Sequence, residues 1–161
     1  MAKDELTIRP AGPQDANQLA ALWSIMAKQH HGYHADIWCW SDDAEHKWRE
    51  HILKQVSDQD AVVLVAEAQA GQVLGFVHAT VKQTPEIFKT RRRAEVWDLV
   101  VAPGRRSSGI GRKLMEAAMK ELARRGAQDV MLYVALPNEG ATRFYERLGF
   151  IRTMCRMYMK F

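Results

Sequence analysis

The sequence has 161 residues, 47% hydrophobic and 26% charged, with a formal net charge of +4. That length fits one ordinary domain able to bury roughly 70% of the surface its unfolded chain exposes, and the composition argues against a membrane protein or a disordered tail. The longest clean apolar run, Ala61 to Ala66, is far too short for a bilayer, and Met1-Ala2-Lys3-Asp4-Glu5 lacks the basic-then-apolar pattern of a signal peptide, so a cytoplasmic location without membrane contact is expected.

Leu6-Thr7-Ile8-Arg9 alternates apolar with polar and stops at Pro10, which predicts a short strand. A helix follows, with Pro13 in its first turn, Asp15 near its start, and Leu19, Leu22, Trp23 and Met26 at helical spacing. Gly32 to Ser41 reads as an irregular connection, with Gly32 interrupting the helix. Ala44 to Val56 predicts a second helix with Trp48, Ile52 and Val56 on one face and Asp42 or Asp43 as N-cap.

Two strands, Ala61 to Glu67 and Val73 to Val81, are predicted around a hairpin at Ala70-Gly71, and a basic loop, Lys89 to Arg93, follows them. Glu95 to Ala102 is a third strand, halted by Pro103-Gly104. Ser107 and Ser108 are expected to cap a helix to about Arg125, whose Ile110, Leu114, Ala118 and Leu122 share a face and which Gly126 ends. Val130 to Ala135 reads as a strand, Asn138 to Leu148 as a helix closed by Gly149, and Phe150 onward as extended chain. The order predicts one α/β domain over residues 1 to 161, without linker or repeat.

The charge is unevenly spread: residues 1 to 87 carry net −5, residues 88 to 126 net +7 and residues 127 to 161 net +2. A compact positive centre suits a polyanionic small molecule at least as well as a duplex. Within it, Arg106-Ser107-Ser108-Gly109-Ile110-Gly111 lies between a strand and a helix, where glycines admit close backbone approach and first-turn N–H groups favour phosphate. It is neither the dinucleotide fingerprint nor a P-loop.

Leu99-x-Val101-x-Pro103-x-x-Arg106-x-x-Gly109-Ile110-Gly111-x-x-Leu114 resembles motif A of the GCN5-related N-acetyltransferase (GNAT) family. Leu132-Tyr133-Val134-x-x-x-Asn138-x-x-Ala141-x-x-Phe144-Tyr145-x-x-x-Gly149-Phe150 resembles motif B, and Ile8-Arg9-Pro10-Ala11 with Asp15-Ala16 and Leu19 is similar to the start of that domain. Many members have glycine where this chain has Ser107. The resemblance implies a mixed, mostly antiparallel sheet flanked by helices, with a splayed parallel strand pair, Glu95 to Ala102 and Val130 to Ala135, forming the cleft for acetyl-CoA.

It further implies that the backbone of Leu99, Val100 and Val101 pairs with the pantetheine arm. The N–H groups from Arg106 through Ser107, Ser108, Gly109, Ile110 and Gly111 to Arg112 would hold the pyrophosphate, with Asn138 touching the pantetheine. The implied reaction is direct attack of a primary amine on the thioester. Glu95 and Asp98 are alternative bases, and strand alternation puts them on opposite faces unless a bulge intervenes. Tyr145 matches the tyrosine that protonates the departing thiolate and also lies beside the cofactor.

His30 and His34 stand four apart, but no third ligand is evident, and the isolated Cys39 and Cys155 offer no metal spacing or disulfide framework, so no metal is expected. Tyr33, Trp38 and Trp40, beside Asp42 and Asp43, lie where the acceptor site is usually covered, and aromatic with acidic groups suits a cationic amine, whether small molecule or peptide. Homodimer formation is compatible with this reading. The alternatives are an acetyl-CoA-binding sensor and a basic module that uses Lys89 to Arg93 and Arg105-Arg106 on an acidic partner. Nucleic acid is disfavoured, because no helix-turn-helix, zinc-finger or RNP pattern is present.

Overall fold

The protein is described by a computed structural model covering residues 6 to 161; the reading of Met1 to Glu5 lies outside the described residues. In chain order the elements are β1 (Thr7–Pro10), α1 (Ala16–Tyr33), α2 (Ala44–Gln55), β2 (Ala61–Glu67), β3 (Val73–Gln83), β4 (Arg92–Val101), α3 (Ile110–Arg124), β5 (Asp129–Leu132) and α4 (Glu139–Arg147). The strands form one sheet in the order β1-β2-β3-β4-β5. Every neighbouring pair is antiparallel except β4 with β5, which is parallel.

Alternation along β2, β3 and β4 sends side chains into two cores, one on each face of the sheet. On one face Val62, Leu64, Val77, Ala79, Val81, Ala94 and Val96 pack against Ile110, Leu114, Ala118 and Leu122 of α3, the stripe predicted for that helix. On the other, Val63, Val65, Phe76 and Val100 pack against Leu19, Leu22 and Trp23 of α1 and Ile52 of α2. α4 adds Phe144, Tyr145 and Leu148 to the edge of the α3 side.

Several boundaries differ from the expectation. α1 continues through Gly32 to Tyr33. One glycine costs a helix only about 1 kcal/mol, and the buried face of this helix outweighs that. Ser107 and Ser108 do not cap α3: its N-cap is Gly109, left-handed at φ 83°, and the Ser108 hydroxyl donates instead to the Arg105 carbonyl at 2.5 Å. Asp43 sits at the N-cap of α2 without a side-chain cap bond, its carboxylate paired with Lys47 at 2.8 Å. Arg92 and Arg93 belong to β4 rather than to the preceding loop, and Arg93 grips Asp129 of β5 with two 2.8 Å hydrogen bonds. Residues 151 to 161 carry no regular secondary structure, and Lys160 pairs with Asp36 at 2.6 Å.

Candidate active site

The site is built around an irregularity in β4. His78 of β3 faces Asp98 and its neighbour Ala79 faces Val96, so Trp97 has no partner across the ladder and forms a bulge. Thr80 lies opposite Glu95. Since His78 and Thr80 share a face, Glu95 and Asp98 share it too, on the side of α1 and α2. Leu99 packs into the α3 core on the other side. The bulge thus overturns the simple alternation that separates the two carboxylates. The Trp97 indole N–H donates to the Thr80 hydroxyl at 2.9 Å, which fixes the bulged side chain on that same face.

The parallel pairing of β4 with β5 runs from Arg93↔Asp129 to Val96↔Leu132 and stops, whereas β4 continues to Val101. β5 is shorter than the predicted strand, and its early end leaves the last residues of β4 with a free edge. The Ala102 N–H donates to Leu74 of β3 at 2.8 Å. Alternation then turns the N–H and C=O groups of Val100 toward β3 and those of Leu99 and Val101 toward the parted edge.

Directly after this edge the chain enters the glycine-containing loop of residues 102–109, which carries Arg105 and Arg106. Gly104 at φ 77°, Ser107 at φ 63° and Gly109 at φ 83° all take the left-handed conformation. The first turn of α3 closes when Lys113 N–H donates to the Gly109 carbonyl at 3.0 Å. The N–H groups of Ile110, Gly111 and Arg112 precede that bond and have no partner within the helix. Arg106 donates to Gln29 of α1 at 3.2 Å, and Arg112 pairs with Glu116 at 2.9 Å. The Asn138 side chain accepts from Ala141 N–H at 3.2 Å and caps α4. Tyr145, about two turns further along α4, packs edge-on against Phe144 and Phe150. Burial, with the Asp98 carboxylate adding to it, pushes its phenol up to about 12.

On the α1 and α2 side a cavity of about 830 Å³ opens between the helices and β3–β4, walled by Trp23, Trp40, Trp48 and Trp97 and floored by His78 and Asp98. Trp23 stacks on Trp48 with ring centroids 5.5 Å apart and meets Trp40 edge-on at 5.2 Å. Lys82 stands over the Trp97 ring at 5.6 Å. Asp58 and Asp60 lie at the rim, Asp60 paired with Arg92.

Of the three aromatic residues expected at the acceptor site, only Trp40 lines this cavity. Tyr33 and Trp38 cluster instead around His30, whose Nδ1 meets the Met26 carbonyl. Glu95 does not line the cavity, whereas Asp98 does. His51, His78 and Gln55, which sequence reasoning did not single out, also line it. The available signal was a histidine in an otherwise apolar strand, which demands a buried partner. Among the described residues no cluster of His, Cys, Asp and Glu could hold a metal ion, and no helix is long and apolar enough to cross a membrane.

A family model described as the acetyltransferase (GNAT) family matches residues 19–150. A mycothiol acetyltransferase of Amycolatopsis mediterranei is 38% identical over 96 residues, 59% of this chain. The chain spans about a third of that relative, 31% of its length. Among solved structures, a tetramutant of the BH1408 protein of Bacillus halodurans superposes with a TM-score of 0.86 at 25% identity, over 96% of this chain and 99% of that one. The protein AAC(6')-Iy, in complex with the bisubstrate analog CoA-S-monomethyl-acetylneamine, shares the fold with a TM-score of 0.73 at 19% identity, over 97% of each chain.

Proposed function

Because the chain belongs to the acetyltransferase (GNAT) family, we propose that residues 1–161 act as a single N-acetyltransferase domain that moves an acetyl group from acetyl-CoA to a primary amine. The observation that carries this reading is the divergence of two adjacent residues at the bulge. Leu99 turns its backbone to the unpaired edge between β4 and β5, while Asp98 turns its carboxylate to the tryptophan-lined cavity. A thioester held at the first and an amine held at the second would meet at one point of the strand.

The free N–H groups of Ile110, Gly111 and Arg112, at the positive end of α3 and beside Arg106, suit a pyrophosphate. The Leu99 and Val101 edge groups suit the amides of a pantetheine arm, and an N–H there would polarise the thioester carbonyl. Asn138 would touch the pantetheine arm from the start of α4. Its cap to α4 holds the helix that carries Tyr145.

An alkyl ammonium, with pKa near ~10.4, must lose a proton before its nitrogen attacks. Asp98 is the better placed of the two carboxylates, since it lines the cavity and Glu95 does not. Tyr145 carries its proton at neutral pH and would be the group that delivers one to the departing thiolate. The indoles of Trp40, Trp48 and Trp97 fit an amine carried on an apolar body, and Asp58 at the rim favours a cation.

Thiol release from acetyl-CoA, measured over a panel of amines, peptides and aminoglycosides, tests the reading. Release that depends on one of these acceptors and slows about 10²- to 10⁴-fold in Asp98→Asn supports it. Tight acetyl-CoA binding with no acceptor turned over favours a sensor.

A further inference from the structure

β3 is buried from Val73 to Val81, and near its middle stands an imidazole: His78 is 2% exposed, opposite Asp98 at 8%. A buried polar ring destabilises the fold unless both nitrogens are satisfied, and a valine would have packed there without that cost. Both are satisfied. Nδ1 lies 3.1 Å from Asp98 Oδ2 and Nε2 lies 3.2 Å from Gln55 Oε1, so one ring ties α2 to the bulge of β4. The His51 ring meets His78 edge-on with centroids 5.7 Å apart and closes the contact toward the cavity mouth.

The bulge is what makes this pair. Without the unpaired Trp97, strand register would set Asp98 one place off from His78 and turn its carboxylate to the other face. The ring therefore meets the buried carboxylate among those that line the cavity, on the oxygen Oδ2, and leaves Oδ1 for a second partner.

We propose that His78 is a positioning residue for acetyl transfer: its Nδ1–H donates to Asp98 Oδ2 and holds the carboxylate so that Oδ1 faces the nitrogen of the amine acceptor. This rests on reading Asp98 as the group that takes the ammonium proton. In that step the N–H bond of the ammonium breaks, its electron pair stays on nitrogen, and the proton goes to Asp98 Oδ1. His78 keeps its own proton throughout. With Nδ1–H on Asp98, Nε2 is the ring's acceptor, and the Gln55 side-chain amide, turned so that its NH₂ faces Nε2, donates to it and holds the ring plane in place.

The test uses the whole chain as wild type, His78→Leu, His78→Asn and His78→Leu combined with Asp98→Asn. Loss of the hydrogen bond lets the carboxylate swing, and a misplacement on the order of 1 Å costs about 100-fold in kcat. The Leu variant is expected to lose about that much, while the amine KM and the acetyl-CoA Kd stay within about twofold. The Asn variant, whose amide nitrogen takes the place of Nδ1 and can donate to Oδ2, should recover most of the loss. The double variant should be no slower than Asp98→Asn alone, because the two residues act as one unit. A Leu variant with unchanged kcat, or losses that add in the double variant, overturns the proposal.

A measurement on the wild-type protein decides the matter independently of folding in any variant. In ¹⁵N-histidine-labelled protein, the His78 Nδ1 resonance should report a bound proton across the pH range of turnover. An unprotonated Nδ1 overturns the proposal. Wild-type protein that binds acetyl-CoA and acetylates no amine overturns the functional reading instead, and the nitrogen spectrum still decides the hydrogen bond.

Discussion

Glu95 and Asp98 stand on one face of β4, three residues apart, because Trp97 between them is bulged out of register with β3. The same bulge falls where β5 leaves β4, just past the Val96↔Leu132 pair. One extra residue thus places a carboxylate over the cavity and frees the Leu99 and Val101 edge at the same level of the sheet. Bulges recur next to active sites because they re-aim a side chain at little cost in sheet pairing.

The two carboxylates are separable by substitution. Asp98→Asn is expected to lower kcat by about 10²- to 10⁴-fold, the usual contribution of a positioned base. Glu95→Gln is expected to keep kcat within about tenfold, or 1.4 kcal/mol of barrier. Steady-state kinetics at saturating acetyl-CoA checks the order, and equal losses contradict it.

Tyr145→Phe should slow turnover by about 10²-fold while leaving acetyl-CoA affinity nearly unchanged. Its phenol is pushed up to about 12, first by burial and second by Asp98. An ultraviolet titration of the folded protein should therefore find one of the four tyrosines ionising after the others. The unfolded chain gives up this proton near ~10, so the stability tied to the buried neutral phenol is full below that pH and declines from there toward 12.

Ser107 holds a left-handed φ of 63°. A side chain costs roughly 1 to 2 kcal/mol there, less for a short polar one and more for a β-branched one. Ser107→Gly is expected to match or slightly exceed the wild-type Tm and acetyl-CoA affinity. Ser107→Val should lower both, read by thermal melts and calorimetry.

Gly75→Ala should disturb the site from behind. A Cβ there would stand 2.6 Å from the Val100 carbonyl oxygen and 3.3 Å from Val101 Cα, too close for β3 and β4 to keep their spacing. Overpacking of this kind costs about 1 to 3 kcal/mol. It should appear as a lower denaturation midpoint together with weaker acetyl-CoA binding, because Val101 lies on the strand edge proposed to hold the pantetheine arm.

Acid should weaken the N-terminal corner. Arg9 grips Asp15 at 2.8 and 2.9 Å and also bonds Glu67, and the Gly12 N–H donates to Asp15 at 2.8 Å. The Arg9 guanidinium, with Gly12 assisting, holds the Asp15 carboxyl below the usual carboxylate range. The stability this contributes is complete above the unfolded value near ~3.9 and is lost as pH falls through the depressed folded value. Asp15→Asn should cost about 2 kcal/mol at neutral pH and flatten the acid limb of Tm against pH.

Much of this was readable from the chain. β2 and α2 begin where apolar runs and helical spacing put them, since each buries one consistent face. The glycine-rich loop, Asp98 and Tyr145 were visible as patterned residues. His78 was not, because its partner lies 20 residues away and opposite it only through a bulge that no local pattern announces. The Gly32 break failed for the opposite reason: a local preference yielded to the packing of the whole helix. Trp23, Trp48 and Trp97 read as core or strand residues one at a time, and they form a cavity wall only when three elements meet.

The central claim is acetyl transfer to an amine at the junction of the Leu99 edge and the Asp98 cavity. It is tested most directly by incubating the protein with acetyl-CoA carrying an isotopically labelled acetyl group and an amine panel, with thiol release and product mass followed together. The account predicts labelled acetyl on an amine nitrogen in equal amount to the thiol released, and both about 10²- to 10⁴-fold slower in Asp98→Asn. Acetyl-CoA bound with no labelled amine formed, or equal labelling by Asp98→Asn, would contradict it.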